Sequence, residues 1–230
     1  MIANLIGAEW RTPSKDRGSL PIFNPATGLI IDEVPLSGPE EVDEAVKAAA
    51  TAYRSWSRTS VMERVRLMFR FKATLESHFE ELAAIITRHH GKTLDEARGE
   101  VRRGIEVVDF ACGAPTLLQG RTLRDVSAGV DQDLYRYPVG VCAGIPPFNF
   151  PVMIPLWMFP LAVVAGNTYV LKPSERTPLS GVRLAELFLE AGFPAGVLNI
   201  VNGAREAVDA LLAHPDVRAI SFVGDRKSVV

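Results

Sequence analysis

One asparagine, Asn149, stands in the stretch GIPPFNFPVMIP, residues 144–155, among prolines and phenylalanines. It sits at the mouth of a run, residues 152–166, that holds only apolar residues, proline and glycine. A side-chain NH2 held by rigid neighbours suits a donor aimed in advance at an oxygen on which negative charge develops. The same residue would serve as the N-cap of a helix starting at Pro151, and the two roles are compatible. Further along, LKPSERTP gathers Lys172, Glu175 and Arg176. A lysine and a carboxylate at the end of a strand could hold the hydroxyls of a cofactor ribose; a solvated, charged loop is the alternative. Arg103 lies one helical turn from Val107 and two from Phe110, so its stem could follow apolar surface with its head in a pocket. A plain surface arginine fits that spacing equally well.

Other reactive types point nowhere. Cys112 and Cys142 lie inside apolar segments, where thiols are usually inert. His78, His89, His90 and His214 lack metal-ligand spacing with cysteine or carboxylate partners, so no metal is expected.

These residues need elements to position them. NLIGAEWR and GSLPIFNPATGLIIDEVPL read as paired strands, with Pro-Ala-Thr-Gly as a turn. Three helices follow, each opened by a capping box: Ser37 with Glu40, Ser60 with Glu63, and Thr93 with Glu96. The first has Val42, Val46, Ala49, Tyr53 and Trp56 on one face; the second runs unbroken from Val61 to Ile86; the third carries Leu94, Ala97, Val101, Ile105, Val108 and Cys112. DQDLYRYP then alternates like a strand. VGVCAGI, TYVLK, VLNIV and RAISFV are short apolar runs without polar alternation, as in strands buried on both faces. Amphipathic segments and the proline-containing apolar run separate them. Strand and helix in alternation predict an α/β, doubly wound parallel sheet, with ligands at the carboxyl ends of the strands. The expected organisation is a hairpin and helical part over 1–130, a strand over 131–138, and a parallel α/β part over 139–230. No G-x-G-x-x-G follows a strand; Gly140 and Gly144 read as tight packing.

Composition removes other classes. The chain has 230 residues, with 25 Lys plus Arg against 27 Asp plus Glu, so nothing points to nucleic acid or an anionic membrane surface. A membrane span needs roughly 20 apolar residues, and the apolar run is shorter and interrupted by Pro155 and Pro160. The start, MIANLIGAEWRTP, lacks the features of a signal peptide, and two reduced cysteines suit a cytoplasmic protein.

In order and spacing, GIPPFNFP, GNTYVLKPSERTPLS, FPAGVLNIVNG and AISFVG resemble the aldehyde dehydrogenase superfamily along essentially the whole chain. EVRRGIEVVDFACGAPTLLQG with YRYPVGVCAGIPPFNFP looks most like its methylmalonate-semialdehyde dehydrogenases, which use NAD and coenzyme A to form an acyl-CoA. The resemblance implies that Asn149 is the oxyanion-hole donor and that Pro146, Phe148, Lys172, Glu175 and Arg176 contact NAD. Lys172 and Glu175 would take the adenosine ribose, and Arg103 the substrate carboxylate. It implies homo-oligomers, with 131–138 as a strand of the oligomerisation segment. The family's nucleophilic cysteine and general-base glutamate match no residue of this chain, whose tail DRKSVV departs from the family after AISFVG. The expectation is the N-terminal portion of such an enzyme, truncated before the catalytic domain and inactive alone. Asp225 falls where relatives place a serine near the cofactor pyrophosphate, so its carboxylate would weaken NAD binding. The alternatives are a non-catalytic nucleotide-binding module and a piece that pairs with subunits through DQDLYRYP.

Overall fold

A computed structural model describes residues 1–13, 15 and 17–224 of the chain. Hairpins β1 (Asn4–Ile6) with β2 (Glu9–Arg11) and β3 (Ser19–Phe23) with β4 (Ile30–Pro35) come first. Then follow α1 (Pro39–Trp56), α2 (Val61–Ser77), α3 (Phe79–His90), α4 (Leu94–Cys112) and the short α5 (Ala114–Leu117). A third hairpin, β5 (Arg121–Ser127) and β6 (Val130–Leu134), leads to the alternating part: β7 (Val141–Ile145), α6 (Met153–Val164), β8 (Thr168–Leu171), α7 (Leu179–Glu190), β9 (Leu198–Ile200), α8 (Arg205–Ala213) and β10 (Val217–Phe222).

The main sheet runs β10-β7-β8-β9-β1-β2. Its four later strands are parallel, and β1 joins β9 antiparallel through Leu5 opposite Ile200. Helices cover both faces, as the alternating pattern predicts. Val42, Val46 and Ala49 of α1 and Ala207 and Leu211 of α8 pack on the side of Ala143 and Val170. On the other side α2, α4, α6 and α7 bury Phe71, Val101, Phe159 and Phe188 with Tyr169 and Leu171. Phe188 stacks on Phe193 at 3.8 Å between ring centroids, and Phe71 meets Phe188 edge-on at 5.4 Å. Gly144 lets this layer close, because a Cβ there would lie 2.4 Å from the Tyr169 hydroxyl oxygen.

Several expectations need correction. The first helix opens one residue later: Gly38 is the N-cap of α1, and only the reciprocal half of a capping box forms, its N–H donating to Glu41 at 2.9 Å. Ser37 instead accepts from Asn4, and Glu40 pairs with Lys15 and Arg17. The boxes at Ser60 and Thr93 are as expected. The long second helix is two, because the chain turns at His78, and continuous apolar periodicity concealed that break. The strand in DQDLYRYP ends at Leu134, and its partner β5 had no apolar alternation to announce it. β10 is an edge strand and only partly buried, unlike β7, β8 and β9.

The buried apolar helix α6 starts later than its sequence suggests, at Met153 with Val152 as N-cap. Asn149 is not its cap. Glu100, fully buried on α4, fills that place: one carboxylate oxygen accepts from the Val152 and Met153 N–H groups at 2.9 and 3.2 Å. A carboxylate there meets the positive end of the helix dipole and satisfies amides that would each cost about 1–3 kcal/mol if left bare. Gly104 permits the close approach of α4 and α6, since a Cβ there would lie 2.7 Å from Leu156 Cδ1. At the other end Arg64 Nε and Trp56 Nε1 donate to the Val164 and Val163 carbonyls. Both ends of an apolar helix are thus held by charged or polar side chains reaching across the core.

Candidate functional site

The carboxyl ends of β7, β8 and β10 and the start of α8 surround one open cleft of about 840 Å³. Three pieces of chain shape it. The segment after β7 brings Pro146, Phe148 and Asn149; the end of β8 brings Lys172 and, three residues on, Glu175; and α8 presents its N-terminus at Ala204 and Arg205. The N-cap of α8 makes no side-chain hydrogen bond, so its first turn keeps donors and partial positive charge toward the cleft.

Lys172 is the most confined charge in it, with 3% of its surface exposed. Its backbone N–H belongs to the β7–β8 ladder, donating to the Gly144 carbonyl at 2.9 Å, so the strand fixes where the side chain starts. Its ammonium donates to Glu175 at 3.0 Å. Burial pulls the Lys172 pKa down from its ordinary range, and the Glu175 charge opposes that pull. Burial also pushes Glu175 up, but the Lys172 charge and the loop's backbone bonds outweigh it and hold the carboxyl below its usual range. An ion pair at the strand end, lining the cleft, is a donor–acceptor set for vicinal hydroxyls.

Phe148 joins the other cleft groups. Its ring lies 5.0 Å from the Arg176 guanidinium and stacks on His90 at 6.3 Å, while its carbonyl accepts from Thr177 Oγ1 at 3.0 Å. Asn149 is exposed beside it and lines the same cleft. Its carbonyl accepts from Lys92 Nζ at 2.6 Å. Asn149, Pro146, Phe148, Lys172, Glu175 and Arg176 therefore line one cleft. Arg103 is not among them. It is exposed on α4 and lines a smaller neighbouring depression with Lys92, Glu96, Gly99 and Phe150, its guanidinium 5.9 Å from the Phe150 ring. Asp225 lies outside the described residues.

The cysteines are buried away from this cleft's lining, and burial pushes both thiols up to about 11. Among the described residues no cluster of histidine, cysteine and carboxylate could hold a metal, and no helix is long and apolar enough to cross a membrane.

Sequence reasoning missed Lys92, Glu100 and Thr177. Glu100 left a signal: it falls between Ala97, Val101 and Gly104 on the apolar side of α4, where a carboxylate needs a partner. Lys92, just before a capping box, left none.

The model of the aldehyde dehydrogenase family matches residues 10–229. Malonate-semialdehyde dehydrogenase 2 of Geobacillus kaustophilus (strain HTA426) is 55% identical over 225 residues, covering 98% of this chain and 46% of that protein. The malonate-semialdehyde dehydrogenase of Bacillus pumilus (strain SAFR-032) is 54% identical over 226 residues with the same coverage. The crystal structure of a methylmalonate-semialdehyde dehydrogenase from Oceanimonas doudoroffii matches at a TM-score of 0.92 and 49% identity, over 96% of this chain and 45% of that one. A Sinorhizobium meliloti 1021 protein assigned as a methylmalonate-semialdehyde dehydrogenase, complexed with NAD, matches at a TM-score of 0.93 and 43% identity, with the same shares. The chain spans about half the length of these relatives.

Proposed function

The chain belongs to the aldehyde dehydrogenase family, and from that premise we propose that it supplies the cofactor-binding and oxyanion-stabilising part of an NAD-dependent, CoA-acylating oxidation of malonate or methylmalonate semialdehyde. The observation that carries the reading is the meeting of Asn149 and the Lys172–Glu175 pair on one cleft at the ends of parallel strands. NAD fits what is there: space of about 840 Å³, an open helix N-terminus for the pyrophosphate, and a buried ammonium beside a carboxylate for ribose hydroxyls.

The chemistry that NAD brings to this cleft is acceptance of a hydride. The chain's residues do the rest of the work assigned here. Lys172 donates to, and Glu175 accepts from, the adenosine ribose hydroxyls. Pro146 and Phe148 give the cofactor an apolar wall, with Arg176 over the Phe148 ring. The Asn149 carboxamide donates to the aldehyde oxygen as that oxygen gains negative charge; one such donor is typically worth about 10²–10³ in rate. Arg103 pairs with the semialdehyde carboxylate, and coenzyme A takes the acyl group as thiol co-substrate.

Acyl transfer through a thioester needs a thiolate. Neither buried cysteine supplies one, with both thiols held near about 11. This chain alone therefore binds cofactor without oxidising aldehyde; a cytoplasmic location and the absence of nucleic-acid or membrane partners belong to the same reading and rest on the balanced charge and the reduced cysteines. A second reading, a non-catalytic nucleotide-binding or subunit-pairing module, draws support from the β5–β6 hairpin, which is exposed along both strands and open to a second copy.

Calorimetric titration with NAD, alongside NADH absorbance with malonate semialdehyde and coenzyme A, tests the proposal. Saturable binding without NADH formation is expected. A folded chain that ignores NAD, or turnover that Cys142→Ala abolishes, would overturn it.

A further inference from the structure

The segment carrying Asn149 is fastened from outside the sheet that bears it. Lys92, in the turn between α3 and α4, donates to the Asn149 carbonyl at 2.6 Å and to Glu100 Oε2 at 2.5 Å. Its ammonium also lies 3.9 Å above the Phe150 ring. The second oxygen of Glu100 accepts from the Val152 and Met153 N–H groups. One ammonium and one fully buried carboxylate therefore grip the chain on both sides of Pro151.

Burying a carboxylate this completely is costly unless every lone pair is used. α6 alone accounts for only one of the Glu100 oxygens. The other binds Lys92, whose further contact, the Asn149 carbonyl, lies before α6 and adds nothing to that helix's ladder. Among the described residues the Asn149 carboxamide has no hydrogen-bond partner, so what the fold fixes is the backbone from which that side chain starts. The Asn149 backbone is in turn tied through its carbonyl to Lys92. A lysine suits this place because it offers several donors at once. Its positive charge also cancels that of Glu100, so no net negative charge stands beside an oxygen that must become negative.

We propose that Lys92 and Glu100 are positioning residues that fix the backbone from which Asn149 presents its carboxamide to the cleft. The proposal rests on the reading of Asn149 as the oxyanion donor. Its structural content, a braced segment 149–153, stands or falls by itself.

Hydrogen exchange at the Val152, Met153 and Ile154 amides reads the brace directly, in the full chain and without NAD or aldehyde. Lys92→Met keeps the stem and removes the charge. Thr93→Ala, one residue away, removes the cap of α4 without touching segment 149–153, and so controls for general destabilisation. Relative to amides in β7 and β8, Lys92→Met should speed exchange at the three probes by at least about tenfold, Thr93→Ala should not, and Lys92→Arg should restore most of the protection. Equal patterns in Lys92→Met and Thr93→Ala, or no recovery in Lys92→Arg, would overturn the proposal. The wild-type chain provides a measurement free of folding defects. Lys92 ζ protons should exchange slowly and show nuclear Overhauser contacts to the Phe150 ring, and an ammonium averaged in solvent would be fatal to the brace. Because no reaction is followed, failure here is separable from failure of the oxyanion reading, which Asn149→Ala would test by rate.

Discussion

His89 should make this chain acid-sensitive in a window that one substitution can remove. The residue lies on α3, 4% exposed, with Nε2 3.0 Å from Ser180 Oγ on α7. Burial, and less strongly the neighbouring His90, holds its pKa at about 3 against an ordinary 6.5. The folded chain thus keeps His89 neutral while the unfolded chain takes up a proton below about 6.5. Between those values the unfolded state binds more protons, so stability falls as pH falls. For one site, the loss from about pH 7 to about pH 5 is close to RT ln(1 + 10^1.5), or about 2 kcal/mol. That figure requires only that the folded value lie well below 5. His89→Gln keeps a polar group within reach of Ser180 and cannot titrate. Urea denaturation of both proteins at the two pH values gives the difference, and wild type should lose about 2 kcal/mol more than the variant. Equal losses would mean that His89 is solvated or already charged in the fold.

The Lys172→Met variant should weaken NAD binding about 10- to 150-fold, the range for a lost hydrogen bond to a charged group, as measured by calorimetry; unchanged affinity would separate Lys172 from the cofactor. Both thiols should resist a disulfide reagent at about pH 7 in the folded chain and react fully in denaturant, because pKa values near about 11 leave scarcely any thiolate. Phe71→Ala, which removes a ring touching Phe159, Phe188 and Phe193, should cost about 3–5 kcal/mol in denaturant unfolding. The half-exposed Ile220 on edge strand β10 should promote association through that edge, and Ile220→Lys should shift the chain toward monomer in size-exclusion chromatography.

The parallel half was legible because its signals are local. Buried strands need apolar runs, and VGVCAGI, TYVLK and VLNIV announce themselves without partners. The grouping of Asn149 with Lys172 and Glu175 followed from strand order, since each lies just past the end of a strand. What stayed hidden depends on contacts distant in sequence. Nothing near Asn149 reveals that Glu100, 52 positions before Val152, caps α6, so a local reading assigned the cap to the nearest asparagine. Ser37 likewise looked like a cap but is turned to Asn4, while Gly38, which has no side chain to advertise the role, opens α1. The break at His78 was masked because α2 and α3 both present apolar faces to the same core. β5 was invisible because all its residues are exposed and no buried face imposes alternation.

The proposed function places NAD in the cleft at the carboxyl ends of β7 and β8, against the start of α8. Backbone amide shifts of the isotopically labelled chain, followed while NAD is added, test it most directly. Saturable changes should concentrate in residues 145–149, 172–176 and 204–209, with the β5–β6 hairpin unmoved. Changes centred elsewhere, or a folded chain whose spectrum NAD leaves untouched, would contradict it.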